Sequence, residues 1–203
     1  MRRFVIIGQS ALASDDFLLE DFAGTSGRLD VLSRAVRPAL LFSHRLRRDA
    51  IAYLVLLGGP RAPRTIRVEG AVAKYVRPDE RSFAGLIKKV LARRDDESTS
   101  GFVEIKPGMA VARGGVEVAL ADMPGAALWI LEEGALDARE ADLSAPDVAF
   151  FLGDHRGFDE AARAVLVAAG ARTIGVGPVS IHTEDVIAVL ANELDRRGLS
   201  APA

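Results

Sequence analysis

Cysteine is absent from all 203 residues of this chain. That excludes disulfides, thiolate nucleophiles and zinc–thiolate centres together, and it fits a reducing compartment. Histidine is scarce: His44, His155 and His182 are the whole set, and none stands at a metal-ligand spacing, so no metal is expected. Long hydrophobic runs are missing too. The apolar stretch at the start, Phe4 to Ile7, is too short for a signal h-region or a membrane span, which predicts a soluble, cytoplasmic protein with no membrane partner. Charge is nearly balanced, at −2 with a pI near 6.0, so any nucleic-acid partner has to be held by a local basic patch.

Several nucleotide and hydrolase signatures are also lacking. No GxxxxGK[ST] occurs and no strand-like run leads into GxGxxG; "GVGPVS" places Pro178 and Val179 where a dinucleotide turn would continue. NAD and ATP by those routes are set aside. Ser180, His182 and Asp185 superficially form a hydrolase trio, but the Ser-x-His spacing rarely lets imidazole reach the hydroxyl, and no GxSxG elbow is present.

What the chain does have is apolar residues, 49% of the total, enough for a sizeable core in one domain spanning residues 1–203. Five short runs, "FVIIG", "AYLVLLGG", "AALWILEEG", "DVAFFLGD" and "ARTIGVG", are rich in branched and aromatic residues and largely unalternating. Strands buried on both faces look like this, which predicts an α/β fold with a mostly parallel sheet covered by helices. "TIRVEG" and "KYVR" alternate instead and predict a short antiparallel hairpin about Glu69 and Gly70.

Helical periodicity fills the gaps. It runs from Leu29 to Leu41, with Pro38 predicting a kink or late start, and from Ser82 to Arg94 behind an N-cap serine. Further helices are predicted from the cap Asp159 to Gly170 and from Thr183 to Gly198. Arg93 to Gly101 is the most loop-like stretch.

Three strand ends carry small or unusual residues: "LEEG", "LGDHRGF" and "VGPVSIH". In open α/β sheets ligands sit at the carboxyl ends of strands, so the three ends either converge on a pocket or simply turn corners. A second feature is the basic stretch holding Arg28, Arg34, Arg37, Arg45, Arg47 and Arg48, punctuated by Asp30 and Asp49. Arginine suits bidentate phosphate recognition, while a solvated helix face would show the same pattern.

Taken in order, "FVIIG", "GRLDVLSR", "SHRLRRD", "YLVLLGGP", "PRTIRVEG", "RPDERS", "FLGDHRGF", "GVGPVSIHTEDVI" and "NELDRR" resemble the archaeal-type tRNA pseudouridine(54) N1-methyltransferases of the SPOUT superfamily. The resemblance covers nearly the whole chain. It implies a C-terminal trefoil knot, a homodimer, S-adenosylmethionine bound bent among the knot loops, and an RNA substrate, tRNA before rRNA. A non-catalytic RNA- or S-adenosylmethionine-binding homodimer is the alternative outside enzymology. Carried over by position, the cofactor contacts fall on Ile130, Leu131, Gly153, Val176, Gly177, Pro178, Val179, Ser180, Ile181 and Val186. Val186, in "HTEDV", stands where many members carry a cysteine; backbone contacts do not need the thiol.

The implied chemistry is methyl transfer to the weakly acidic N1 of pseudouridine, with no covalent enzyme intermediate. Arg28, Arg34, Arg45, Arg47 and Arg48 are the expected RNA contacts. Asp30 is the expected catalytic group, orienting or basic, unless it merely pairs with Arg34 at i, i+4. For the dimer the last helix offers Val186, Ile187, Val189, Leu190 and Leu194, a stripe that core burial could equally use.

Overall fold

The computed structural model describes residues 1–43, 45–94, 100–154 and 156–198. The unalternating runs do form strands: β1 (Arg2–Leu12), β2 (Ala50–Gly58), β6 (Ala127–Leu131), β7 (Val148–Gly153) and β8 (Arg172–Ile174). Between them lie β3 (Arg64–Glu69), β4 (Val103–Lys106) and β5 (Met109–Arg113). All join one sheet in the order β4-β5-β3-β2-β1-β7-β6-β8. From β2 to β8 every neighbouring pair is parallel, whereas β3, β5 and β4 continue the sheet antiparallel.

Both faces are covered, which is why the parallel strands lack alternation. Phe4 and Ile6 of β1 face α2 (Leu29–Leu40), α3 (Glu80–Leu91) and α6 (Thr183–Arg196), while Val5 and Ile7 face α4 (Val116–Ala121) and α5 (Glu160–Ala168). A one-turn helix, α1 (Phe22–Thr25), completes the set.

Two local expectations need correction, whereas α2 begins at Leu29 and α6 at Thr183 as expected. "KYVR" forms no strand; β3 pairs instead with β2 and β5, because Met109–Arg113 supplies an apolar partner that the exposed Lys74 and Tyr75 do not. Helix α3 is capped three residues earlier than expected, by Asp79 rather than Ser82, and the Asp79 carboxylate accepts from Ser82 N. Helix α6 is capped by His182, and Thr183 turns its hydroxyl away to donate to the Gly153 carbonyl at 2.9 Å. Helix α2 runs from Leu29 through Pro38 to Leu40; the ring forgoes the one bond an N–H there would make to the Arg34 carbonyl, and the helix ends two residues later.

The C-terminal path makes an α/β knot. After the edge strand β8, the chain passes against the connection between β6 and β7: Gly175 N donates to Leu136 O and Gly175 O accepts from Ala138 N, both at 2.8 Å. A Cβ at Gly175 would sit 3.0 Å from Ala135 O and 3.3 Å from Glu132 O, so any side chain there would crowd the crossing segments. The chain then returns as α6 to pack on α2 and β1. Arg197 at its end donates to the carbonyls of Ala138, Arg139 and Ala141, each at 2.8 Å, closing the same connection around it. Arg2 on β1 reaches Asp195 at 2.8 Å and fixes the returning helix against the sheet.

Candidate functional site

The carboxyl ends of β6, β7 and β8 open into one cleft of about 210 Å³. Leu131 and Gly153 come to it from the ends of β6 and β7. Val176, Gly177, Val179, Ser180 and Ile181 come from the loop after β8, and Val186 from the first turn of α6. Two expected residues stand apart. Ile130 is fully buried and faces the core beneath α4 and α5, because alternation along β6 sends it to the opposite face from Leu131. Pro178 lies in the loop but not on the cleft wall.

The loop's backbone is what the cleft offers. From Val176 to Ile181 no backbone N–H is paired with a protein acceptor among the described residues, so the donors are open for a ligand. Gly177 has φ +143°, a conformation that side chains rarely adopt, and a Cβ there would meet nothing within 4 Å. Glu133 and Glu132, the latter paired with Arg163 at 2.9 Å, stand exposed on the cleft lining, with Asp154 buried behind them. Unpaired backbone groups, apolar walls and carboxylates suit a nucleoside with a cationic centre, which is the chemistry of S-adenosylmethionine.

Sequence reasoning missed Asp154. It is buried and accepts from Gln9 N at 2.9 Å and Arg156 N at 2.8 Å, pinning the turn after β7 to the end of β1. The only signal in the sequence is an acid directly after a strand-ending glycine. Thr183, also missed, joins the wall through its bond to Gly153.

The arginines separate into two groups. Arg28 caps α2 in the left-handed conformation, φ 69°, and its guanidinium holds Asp30 at 3.1 Å. Arg34 holds the same carboxylate at 2.8 Å and also reaches Glu184 at 3.2 Å. Asp30 itself is 1% exposed and lines neither this cleft nor the larger cavity beside α2. Burial raises its pKa, but the hydrogen bonds from Arg28 and Arg34 outweigh burial and hold it below the ordinary value. An anion held so firmly is a weak proton acceptor; its arrangement aims the two half-exposed arginines.

Arg45 and Arg48 are exposed. Arg47 is not: its guanidinium lies 4.3 Å above the Phe42 ring and makes two bonds to Asp195, at 2.8 and 2.7 Å. In this arrangement it ties the chain before β2 to α6 rather than facing a phosphate.

Ser180 and His182 share no hydrogen bond among the described residues, and His182 serves α6 through its carbonyl, which accepts from Asp185 N and Val186 N. His44 and His155 lie outside the described residues. Among the described residues no group of three or more His, Asp or Glu is placed to hold a metal, and no helix is long and apolar enough to cross a membrane.

The chain is similar to known proteins along nearly its whole length. The sequence profile of a family described as "Putative SAM-dependent RNA methyltransferase" matches residues 1–199. The tRNA (pseudouridine(54)-N(1))-methyltransferase of Methanosarcina acetivorans is 42% identical over 196 residues, 97% of this chain and 92% of its own length. The protein of that name from Pyrococcus abyssi is 37% identical over 98% of this chain and 100% of its own. Among solved structures, Archaeoglobus fulgidus Nep1 bound to S-adenosylhomocysteine is similar, with a TM-score of 0.62 and 19% identity, covering 87% of this chain and 74% of that one. At that identity it speaks for the fold.

Proposed function

Because the chain belongs to the SAM-dependent RNA methyltransferase family, we propose that it transfers a methyl group to N1 of pseudouridine 54 in tRNA. The observation that carries the substrate is the near-full-length similarity to relatives of that name, 42% identical across 97% of this chain. The cleft at the ends of β6, β7 and β8 is the proposed cofactor site. There Val176 to Ile181 would hold the nucleoside by backbone groups, with Leu131, Gly153 and Val186 as walls, Ile130 supporting from beneath and Pro178 stiffening the loop. Bound S-adenosylmethionine supplies an electrophilic methyl on a sulfonium.

The chain's own part is placement. The target base has to leave its stack to reach the cleft. Arg28 and Arg34, aimed by Asp30, hold the RNA backbone beside the cleft, and Arg45 and Arg48 extend the basic surface. Holding the ring nitrogen close and in line converts a bimolecular displacement into a positioned one, which supplies much of the acceleration.

The reading includes a homodimer in the cytoplasm, each chain acting as one domain. Ile187, Leu190 and Leu194 are spent in the monomer's core, so the proposed contact uses what remains exposed around the knot: Leu136, Val179, Ile181 and Val189.

The deciding experiment incubates the protein with S-adenosylmethionine and tRNA carrying pseudouridine 54, then maps the product by mass spectrometry. The expected result is one methyl on N1 of that nucleotide. Methylation of rRNA alone would move the substrate. Cofactor binding without transfer to either RNA would make the protein a non-catalytic binder.

A further inference from the structure

A second cavity, about 420 Å³, lies on the other side of the first turn of α6 from the cofactor cleft, between α2, α6 and the segment before α3. Its size falls within the range of ligand pockets, about 300–1,000 Å³. Thr183 and Val186 line the cleft, whereas Glu184, Asp185 and Ala188 line this cavity. The two are therefore separated by about one helix width, ~10 Å.

Two features of the cavity point to a ligand, and an exposed aromatic residue adjoins it in the chain. Ser33 is 5% exposed on its wall, and its Oγ has no hydrogen-bond partner among the described residues. At the rim stand Arg37 and Arg77, both exposed and without an ion-pair partner among the described residues. Next in the chain to the buried wall residue Val76 is Tyr75, itself outside the lining, 75% exposed and held at φ 66°, a conformation uncommon for a non-glycine residue.

The interior is not an anion hole. Glu80 and Glu184 pair with Arg34 at 3.7 and 3.2 Å, Asp79 caps α3, and Asp185 adds a further carboxylate. The carboxylates of the lining and the buried Ser33 hydroxyl can accept hydrogen bonds from base N–H groups, while Arg37 and Arg77 meet phosphates. The exposed ring of Tyr75, two residues before Arg77 in the chain, offers a stacking surface for an unpaired base.

Resting on the RNA reading above, we propose that this cavity is a subsite for an unpaired nucleotide flanking the methylated one. Its base enters beside Ser33, the neighbouring base stacks on Tyr75, and Arg37 and Arg77 hold the phosphates. None of Ser33, Arg37, Tyr75 and Arg77 belongs to the cofactor cleft.

The test measures affinity for a synthetic T-arm hairpin carrying pseudouridine by fluorescence anisotropy, alongside calorimetry with S-adenosylmethionine and a methylation assay of the wild type. Tyr75→Ala is expected to weaken RNA binding about 5- to 150-fold, while Tyr75→Phe, which keeps the ring, retains it. Ala188→Phe, filling the cavity from an exposed helix position, weakens it as well. Arg77→Ala lowers the salt slope by about one. Cofactor affinity stays at the wild-type value throughout.

If the wild type methylates the hairpin while Tyr75→Ala and Ala188→Phe bind it as the wild type does, the subsite is wrong and the function stands. A wild type that neither binds nor methylates the hairpin or whole tRNA overturns both.

Discussion

Arg34 on α2 and Glu184 on α6 meet at 3.2 Å on the wall of the cavity between the two helices, joining residues 150 positions apart. The same guanidinium neutralises the buried Asp30. One side chain thus links the start of the knot helix to the proposed RNA grip, and its removal has two consequences where removal of Arg28 has one.

Arg28→Ala is expected to weaken RNA binding and flatten its salt dependence with little change in stability, since Arg34 still neutralises Asp30. Arg34→Ala is expected to weaken RNA binding similarly and also cost about 1 kcal/mol, a value kept small because the side chain is half exposed. Anisotropy at several salt concentrations and denaturant melts separate the two effects. Unchanged RNA affinity in both variants would make the pair surface charge.

Asp30 sets an acid dependence. Its pKa in the folded protein lies below the ordinary 3.8, so the unfolded chain takes up the proton first as pH falls. The stabilisation is complete above about pH 4 and is lost as pH drops through the depressed folded value. In Asp30→Asn the fall of melting temperature across that acid range is expected to be shallower than in the wild type. An acid limb of the same slope would contradict this assignment.

Gly177 should be needed for the cofactor. A leucine there is strained by about 1–3 kcal/mol at φ +143°, and its side chain projects where the structure leaves open space. Gly177→Leu is expected to fold and to lose at least about tenfold in S-adenosylmethionine affinity. Calorimetry giving wild-type affinity would remove the loop from the site.

Arg47→Ala tests whether that arginine belongs to the fold or to the RNA surface. Loss of the two bonds to Asp195 is expected to cost about 2 kcal/mol, less than a fully buried pair because Arg2 still reaches the same carboxylate. RNA affinity in the folded variant should match the wild type, whereas Arg48→Ala weakens it. Melts and anisotropy together decide the point.

For the homodimer, light scattering of the wild type at micromolar concentration is expected to give twice the chain mass. Val189→Glu, at an exposed position on α6, is expected to shift it toward the monomer. A wild-type monomer would end the dimer reading.

Much of the fold was legible because burial on two faces writes a local signature. Phe4 to Ile7 alternate between two cores, so all four are apolar, and the run reads as a covered parallel strand with no knowledge of its neighbours. The cleft was legible in outline through its glycine-bearing strand ends. Asp154 was not, since its value lies in accepting from Gln9, 145 positions away.

The sequence by itself determined the α/β class, the central strands and helices, and the family, because local periodicity and an ordered set of motifs suffice for these. Tertiary structure decided that β3 takes β5 rather than "KYVR" as partner, that Ile130 faces away from the cleft, and that Arg47 pairs with Asp195 instead of facing solvent. Each of these depends on contacts between distant segments. An arginine in a basic stretch looks the same in sequence whether its counter-charge is a phosphate or a carboxylate folded back from the last helix, and only the folded chain brings that carboxylate to 2.7 Å.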